Sequence, residues 1–466
     1  MSKDLPASIA DTQKLLFSQH LSAVQLVDMY LQNIKKHEHL NAFITVTQDL
    51  AYSQAKATDK SISELGESIL SQKPLLGTVI AHKDLFSTKG VRTTAGSKVL
   101  ESYVPEYSAT VVKRLEEAGA ICIGKTNLDS WGHGSSGENS DFGPTKNPWN
   151  PRFVPGGSSS GSAVSVAAQM SLISTGTDTG GSVRLPASFC GVYGLKPTYG
   201  AVSRYGVIAM ASSLDTVGHF ASTIEDIKKV FLVTAGKDYL DANIQNKVQE
   251  SPKEITIGLP KQYFGSGINS EVSSKIESAI KSLKNLGIKF KDMSLPNTKY
   301  ATAVYYIIMP AEVSSNLSRF DSIRYGNGRD AFSDEAKRRI MLGSYVLSAG
   351  YYDAYYLKAM KVRSLIKSDF DKAFGAVDAI LTPVSPTPPF KLGQKTSDPL
   401  QMYLSDILTA GPSLAGIPGL SVPCGFDHGL PIGFQILAKQ FNENTLFTIA
   451  SMFEKATDGE YTKSKS

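Results

Sequence analysis

The sequence predicts an α/β protein in which helices cover both faces of one sheet. Short apolar runs bounded by glycine or polar residues alternate with longer stretches of helical periodicity. No repeat and no clean linker divides the 466 residues, so one domain is expected over 1–466. It would have a helical N-terminal segment, 1–70, and a Gly/Ser-rich core, 76–220.

The elements follow in order. Ser8 can cap a helix reaching Gln19, with Leu15, Leu16 and Phe17 on its apolar side. Ser22 can cap a second, with Val24, Leu26, Val27, Met29, Tyr30 and Ile34 near a 3.6-residue period. Ala42–Val46 reads as a strand, Leu50–Lys60 as a helix, and Gly77–Ala81 as a strand ending at His82, Lys83 and Asp84. Thr110–Ala118 is helical, Ile121–Ile123 a strand, and Ser162–Gln169 a small-residue helix. Between 130 and 220 glycine and serine are dense, but Trp131, Phe142, Trp149, Asp178 and Arg184 are interleaved. A flexible linker has no use for such residues, so this stretch reads as an ordered, loop-rich site. Lys237–Lys253 is polar and reads as a surface excursion. Alternation then resumes. Strands are expected at Ile255–Leu259, Ile288–Phe290, Ala379–Thr382, Leu420–Pro423 and Ile432–Leu437. Helices are expected at Val272–Leu286, Tyr300–Arg319, much of Glu335–Phe374 and Asn444–Glu454.

Composition bounds the function. A net charge of +5 is too mild to argue for nucleic-acid binding, and it excludes neither an RNA-handling partner nor a neutral small substrate. Cys122, Cys190 and Cys424 are widely spaced among apolar or small residues, the pattern of reduced, buried thiols. The seven histidines form no metal-ligand spacing, so no metal is expected. The longest weakly polar stretch, Ser162–Ile173, falls short of the about 20 apolar residues of a membrane span. The N-terminus has no secretory or transit pattern, so a cytoplasmic protein is expected.

Two motif matches fail on context. Gly119 to Thr126 fits the phosphate-loop pattern GxxxxGKT, but a charged helix precedes it and its interior, A-I-C-I, reads as a strand. Gly157 to Gly161 approximates the nucleophile elbow G-x-S-x-G. It lacks a preceding strand, and neither His219 nor His428 stands in a triad setting.

Three other elements belong together: Lys83 at a strand end, the run Gly156 to Ala163 around Ser158, and the run Gly176 to Ala187 around Ser182. Ser158 lies 75 residues after Lys83, and Ser182 a further 24. A serine hydroxyl attacks only when a base takes its proton. Lysine serves as that base only when burial brings its pKa far below ~10.4. This set, with Lys125–Asp129, Gly143–Trp149, Phe189–Pro197 and Gly416–Pro423, resembles the amidase-signature family over nearly the whole chain. The resemblance implies the amidase-signature fold, a large mixed β-sheet with helices on both faces. It implies Lys83 as base, Ser158 as proton relay after a cis peptide bond, and Ser182 as nucleophile. Thr179, Gly180 and Gly181 would offer backbone N–H groups to the oxyanion.

Strings at 82–97, 199–215, 314–326 and 348–363 resemble one branch of that family, the glutamine-hydrolysing subunits of tRNA-dependent amidotransferases. The branch implies that glutamine is cleaved to glutamate and ammonia. Two partners, the B and C subunits, are implied with it. The B partner would use ATP and Mg to activate mischarged tRNA, the small C partner would join the other two, and this chain would need no cofactor. By the same resemblance Asp406 would hold the α-amino group and Arg339 the α-carboxylate, with Tyr306 a third contact. The chain departs from the family where a D-E-F-type string is common: here stand Asp129, Ser130, Trp131, Gly132 and His133. The segment after Gly326 is also shorter, which leaves Arg338 and Arg339 as alternatives. A stand-alone amidase would share the triad without needing Asp406 or Arg339. Whether the acceptor is Glu-tRNA(Gln) or Asp-tRNA(Asn) stays open.

Overall fold

The computed structural model describes residues 4–462 apart from 248 and 266, with backbone alone at 399. Eleven strands form one mixed sheet: β1 (Phe43–Val46), β2 (Val79–Lys83), β3 (Ile121–Thr126), β4 (Ile173–Asp178), β5 (Tyr193–Lys196), β6 (Thr216–Ala221), β7 (Thr256–Pro260), β8 (Lys289–Met293), β9 (Ala379–Pro383), β10 (Gly419–Asp427) and β11 (Leu430–Ala438). Their spatial order is β1-β3-β2-β4-β6-β5-β10-β11-β9-β7-β8. β2 pairs in parallel with β3 and β4, and β7 with β8 and β9. Parallel neighbours need crossover connections. Helix Thr110–Glu117 leads from β2 to β3, and helix Ser270–Asn285 from β7 to β8. Every residue of β2, β3 and β4 is buried, as in strands covered on both faces.

Helices cover both faces, and the core divides into two large apolar clusters. One gathers Ile9, Leu26, Val230, Ile276 and Phe447. The other gathers Met309, Ile366, Leu408 and Leu414 beside Trp131. Both N-terminal helices begin where their caps predict. Ser8 accepts from the Asp11 N–H, and Ser22 forms a reciprocal capping box with Gln25.

The expected elements are present, with ends shifted by a few residues. Helix 50–60 runs from Gln48 to Leu65, and the stretch 335–374 is broken. Asp334–Val346 and Lys358–Ala373 are α-helices, and a π-helical turn, Tyr352–Leu357, lies between them. The Gly/Ser-rich core holds more regular structure than its composition suggests, namely β4, β5, β6 and helix Arg184–Cys190. All three cysteines are free and buried. No helix among the described residues is long and apolar enough to cross a membrane.

Both rejected motifs read differently in three dimensions. Ile121–Thr126 is strand β3. Its Lys125 is fully buried, paired with Asp84 at 3.0 Å and donating to Phe86 O and Thr93 Oγ1, each at 2.7 Å. His219 lies in β6 against Thr234 at 2.9 Å, and His428 is exposed.

Candidate active site

Lys83 ends β2 and is 0% exposed. Its Nζ donates to Ser158 Oγ at 2.8 Å and to Thr177 Oγ1 at 2.8 Å. Burial brings its pKa down to about 7, against the opposing pull of Asp129, Asp215 and Asp178. Burial thus favours the neutral amine, the form able to accept a proton.

Ser158 follows a cis peptide bond from Gly157. The loop 129–139 wraps it. Asp129 N–H donates to Ser158 O at 3.2 Å, and Gly157 N–H to Ser135 O at 2.9 Å. The Asp129 carboxylate accepts from Gly137 N–H at 3.0 Å and Asn139 N–H at 2.9 Å. Burial raises its pKa to about 7, partly offset by those two N–H groups and by Lys83.

Ser182 starts the turn into helix Arg184–Cys190 and is 9% exposed. Its carbonyl accepts from Ser159 N–H at 3.1 Å, which ties the two serine-bearing segments together. Its hydroxyl, and the N–H groups of Thr179, Gly180, Gly181 and Ser182, have no hydrogen-bond partner among the described residues. The turn itself is firmly held. Thr179 Oγ1 donates to Asp215 at 2.7 Å, Thr409 Oγ1 to Gly180 O at 2.5 Å, and the Val183 N–H to Asp178 at 3.2 Å. Gly181 has φ +144°, and a Cβ there would overlap Thr409 Oγ1. Unpaired N–H groups on a fixed turn are what an oxyanion requires.

A cavity of about 250 Å³ is lined by His133, Ser135, Ser136, Asn139, Tyr306 and Arg339, among others. Next to the lining residue His133 in the chain, Gly132 approaches the relay serine: a Cβ there would lie 3.7 Å from Ser158 Oγ. Arg339 is buried, its Nε on Glu335 at 2.8 Å and its guanidinium 5.8 Å from the centres of the Tyr306 and Tyr403 rings. Tyr306 stacks on Tyr403 at 4.1 Å. Arg338 also borders the cavity, but it is exposed and pairs with Glu335 from outside. The buried fork of Arg339 is the better-placed cation. Asp406 ends a short helical turn, and its carbonyl accepts from Thr409 Oγ1 at 2.8 Å, the hydroxyl that also holds Gly180. Burial raises the Asp406 pKa to about 7, opposed by Arg339, and a cationic group arriving beside it would hold it charged. Asp406 and the triad are not among the residues lining the 250 Å³ cavity.

The family model for amidases matches residues 25–447. The chain belongs to the amidase family. Among amidases, it is 52% identical to the A subunit of the glutamyl-tRNA(Gln) amidotransferase of Carboxydothermus hydrogenoformans, with 95% of each chain covered. It is 47% identical to the corresponding A subunit of Coxiella burnetii, with 97% of each covered. The crystal structure of the A subunit from Thermotoga maritima superposes with a TM-score of 0.82 at 41% identity, covering 96% of this chain and 94% of that one. A bacterial aryl acylamidase, 22% identical with a TM-score of 0.87, shares the fold over 98% of this chain and 97% of its own.

Sequence reasoning missed several residues around this amidase site. Thr177 shares the Lys83 ammonium, Asp215 and Thr409 fix the turn, and the Tyr305 ring packs against Gly180. Asp129 stood inside a string that carries the resemblance, and that was the only signal for it. No group of three or more His, Cys, Asp or Glu among the described residues could hold a metal ion.

Proposed function

We propose that this amidase is the glutamine-hydrolysing subunit of a tRNA-dependent amidotransferase. The observation that carries the reading is the buried Lys83 Nζ at 2.8 Å from Ser158 Oγ, in a chain about half identical to glutamyl-tRNA(Gln) amidotransferase A subunits. Neutral Lys83 takes the Ser158 proton as Ser158 takes that of Ser182. Ser182 Oγ attacks the side-chain amide carbon of glutamine. The N–H groups of Thr179, Gly180 and Gly181 hold the resulting oxyanion. The proton returns through Ser158 to the amide nitrogen as the C–N bond breaks. Ammonia leaves and a glutamyl ester remains on Ser182. Water, deprotonated along the same path, cleaves the ester to glutamate and regenerates the serine. Arg339 pairs with the α-carboxylate, Asp406 with the α-ammonium, and Tyr306 walls the cavity.

The ammonia passes to the B partner, which activates Glu-tRNA(Gln), or Asp-tRNA(Asn), with ATP and Mg. The small C partner joins the two, completing the glutaminyl-tRNA synthase (glutamine-hydrolysing) reaction in the cytoplasm. On this reading the nucleotide site belongs to the B partner, and this chain works without a cofactor of its own.

The test is ammonia release from glutamine by wild type and Ser182→Ala, with and without the B and C partners. We expect release that rises with the partners and falls at least about 10³-fold in the variant. Release indifferent to partners and to glutamine would indicate a stand-alone amidase. Release that survives in Ser182→Ala would overturn the mechanism.

A further inference from the structure

His133 is 0% exposed, and neither of its ring nitrogens has a hydrogen-bond partner among the described residues. Buried polar groups are nearly always paired, so such an imidazole requires an explanation. The residue borders the 250 Å³ cavity together with Arg339 and Tyr306. The cavity supplies the space, and Arg339 supplies a fixed positive charge that invites a carboxylate. The backbone holds the ring in place. His133 N–H donates to Ser130 O at 2.9 Å, and its carbonyl accepts from Asn139 Nδ2 at 2.7 Å. The preceding residue, Gly132, lies against Ser158. One short loop therefore touches the relay serine and carries the imidazole.

We propose that His133 is a specificity-determining residue whose ring N–H donates to the α-carboxylate of the amino-acid amide paired with Arg339. The proposal rests on the glutaminase reading above and adds a contact to it. Burial and the Arg339 charge hold the imidazole well below its ordinary pKa, so it is neutral and carries one N–H. A neutral donor complements Arg339 without adding a second buried cation beside it. The residue falls in the Asp129–His133 string, which departs from the D-E-F-type string of the family resemblance.

The experiment measures glutamine hydrolysis by the full chain with its partner subunits, as wild type, His133→Met and His133→Gln. We expect His133→Met to raise KM for glutamine about tenfold or more while kcat stays within about threefold, the loss expected for one donor to a charged group. His133→Gln, which keeps an N–H donor, should recover most of the affinity. The loss should fall on glutamine and spare glutaminamide, in which an amide replaces the α-carboxylate. The ligand-free melting temperature of His133→Met should not fall, because the substitution removes an unpaired buried polar group. An unchanged KM in His133→Met, or equal losses on glutamine and glutaminamide, overturns the assignment and leaves the glutaminase reading intact. A wild type inert toward glutamine overturns that reading and the assignment with it.

Discussion

On the proposed mechanism Lys83 is the residue on which the rate turns, and its titration is measurable. With its pKa brought down to about 7 by burial, it is mostly protonated below that pH and cannot take the Ser158 proton. We expect kcat to fall about tenfold per pH unit below about 7 and to level off above it. Asp406 titrates in the same range, also near 7. On the proposed binding mode, however, the substrate ammonium would hold Asp406 charged in the glutamine-bound complex, so the acid limb of kcat is expected to belong to the lysine. Asp406→Asn should therefore raise KM and leave the limb in kcat near 7. A limb that vanishes in Asp406→Asn would assign it to the carboxylate instead. The Lys83–Ser158 contact was legible in the sequence through the family resemblance, which a lysine at an apolar strand end and two serines in glycine-rich runs carry. Thr177, Asp215 and Tyr305 were not. Their roles come from contacts with residues distant in the chain, and a lone Thr, Asp or Tyr has many bland explanations.

At the level of elements, the turn 179–182 depends on a helix far along the chain. Gly181 adopts φ +144°, and the helix Ile407–Ala415 brings Thr409 Oγ1 to where its Cβ would be. Gly181→Ala should cost about 1–3 kcal/mol in urea unfolding. It should also lower kcat about 10²-fold, by moving the oxyanion donors. Adding Thr409→Ala removes the overlapping hydroxyl but not the disfavoured φ, so the double variant should regain part of the stability. If the two losses simply add, Thr409 is not the obstacle. Sequence patterning missed β4, β5 and β6, and the first and last of these show why. β4 reads I-S-T-G-T-D and β6 T-V-G-H-F-A, small and polar strings with little apolar alternation. They are strands because neighbours pair them on both sides and helices bury them. Burial of that kind is tertiary, and no local window of sequence records it. β2, β9 and β11 were legible because continuous apolar runs mark strands covered on both faces.

Across the whole molecule, one buried arginine joins the catalytic turn to the far half of the sheet. Arg184 is fully buried and grips Asp178 at two points, Nε to Oδ2 and Nη2 to Oδ1, each at 3.0 Å. Its Nη1 donates to Gln435 on β11 at 2.8 Å, and its Nη2 also reaches Thr409 O at 3.1 Å and Ser413 Oγ at 2.8 Å. Gln435 in turn donates to Pro383 O at 3.1 Å and Leu408 O at 3.0 Å. Burial pushes the Asp178 carboxyl up, and Arg184, helped by Lys196 and the Val183 N–H, more than reverses this, leaving it below the usual carboxylate range. Removing the arginine strands a buried carboxylate, so Arg184→Met should lose about 3–5 kcal/mol in urea unfolding near pH 8, together with ammonia release. The pH dependence identifies the cause. In wild type the depressed Asp178 pKa stabilises the fold above the unfolded value, and that stability is lost as pH falls through the folded one. In Arg184→Met the opposing guanidinium is gone, leaving Lys196 and the backbone N–H groups against burial, and the Asp178 pKa rises. The folded variant then binds more protons than the unfolded chain and gains stability as pH falls. The stability gap between the two proteins should narrow from pH 8 to pH 5. A gap that stays constant would mean that lost packing, not an unpaired charge, accounts for the damage.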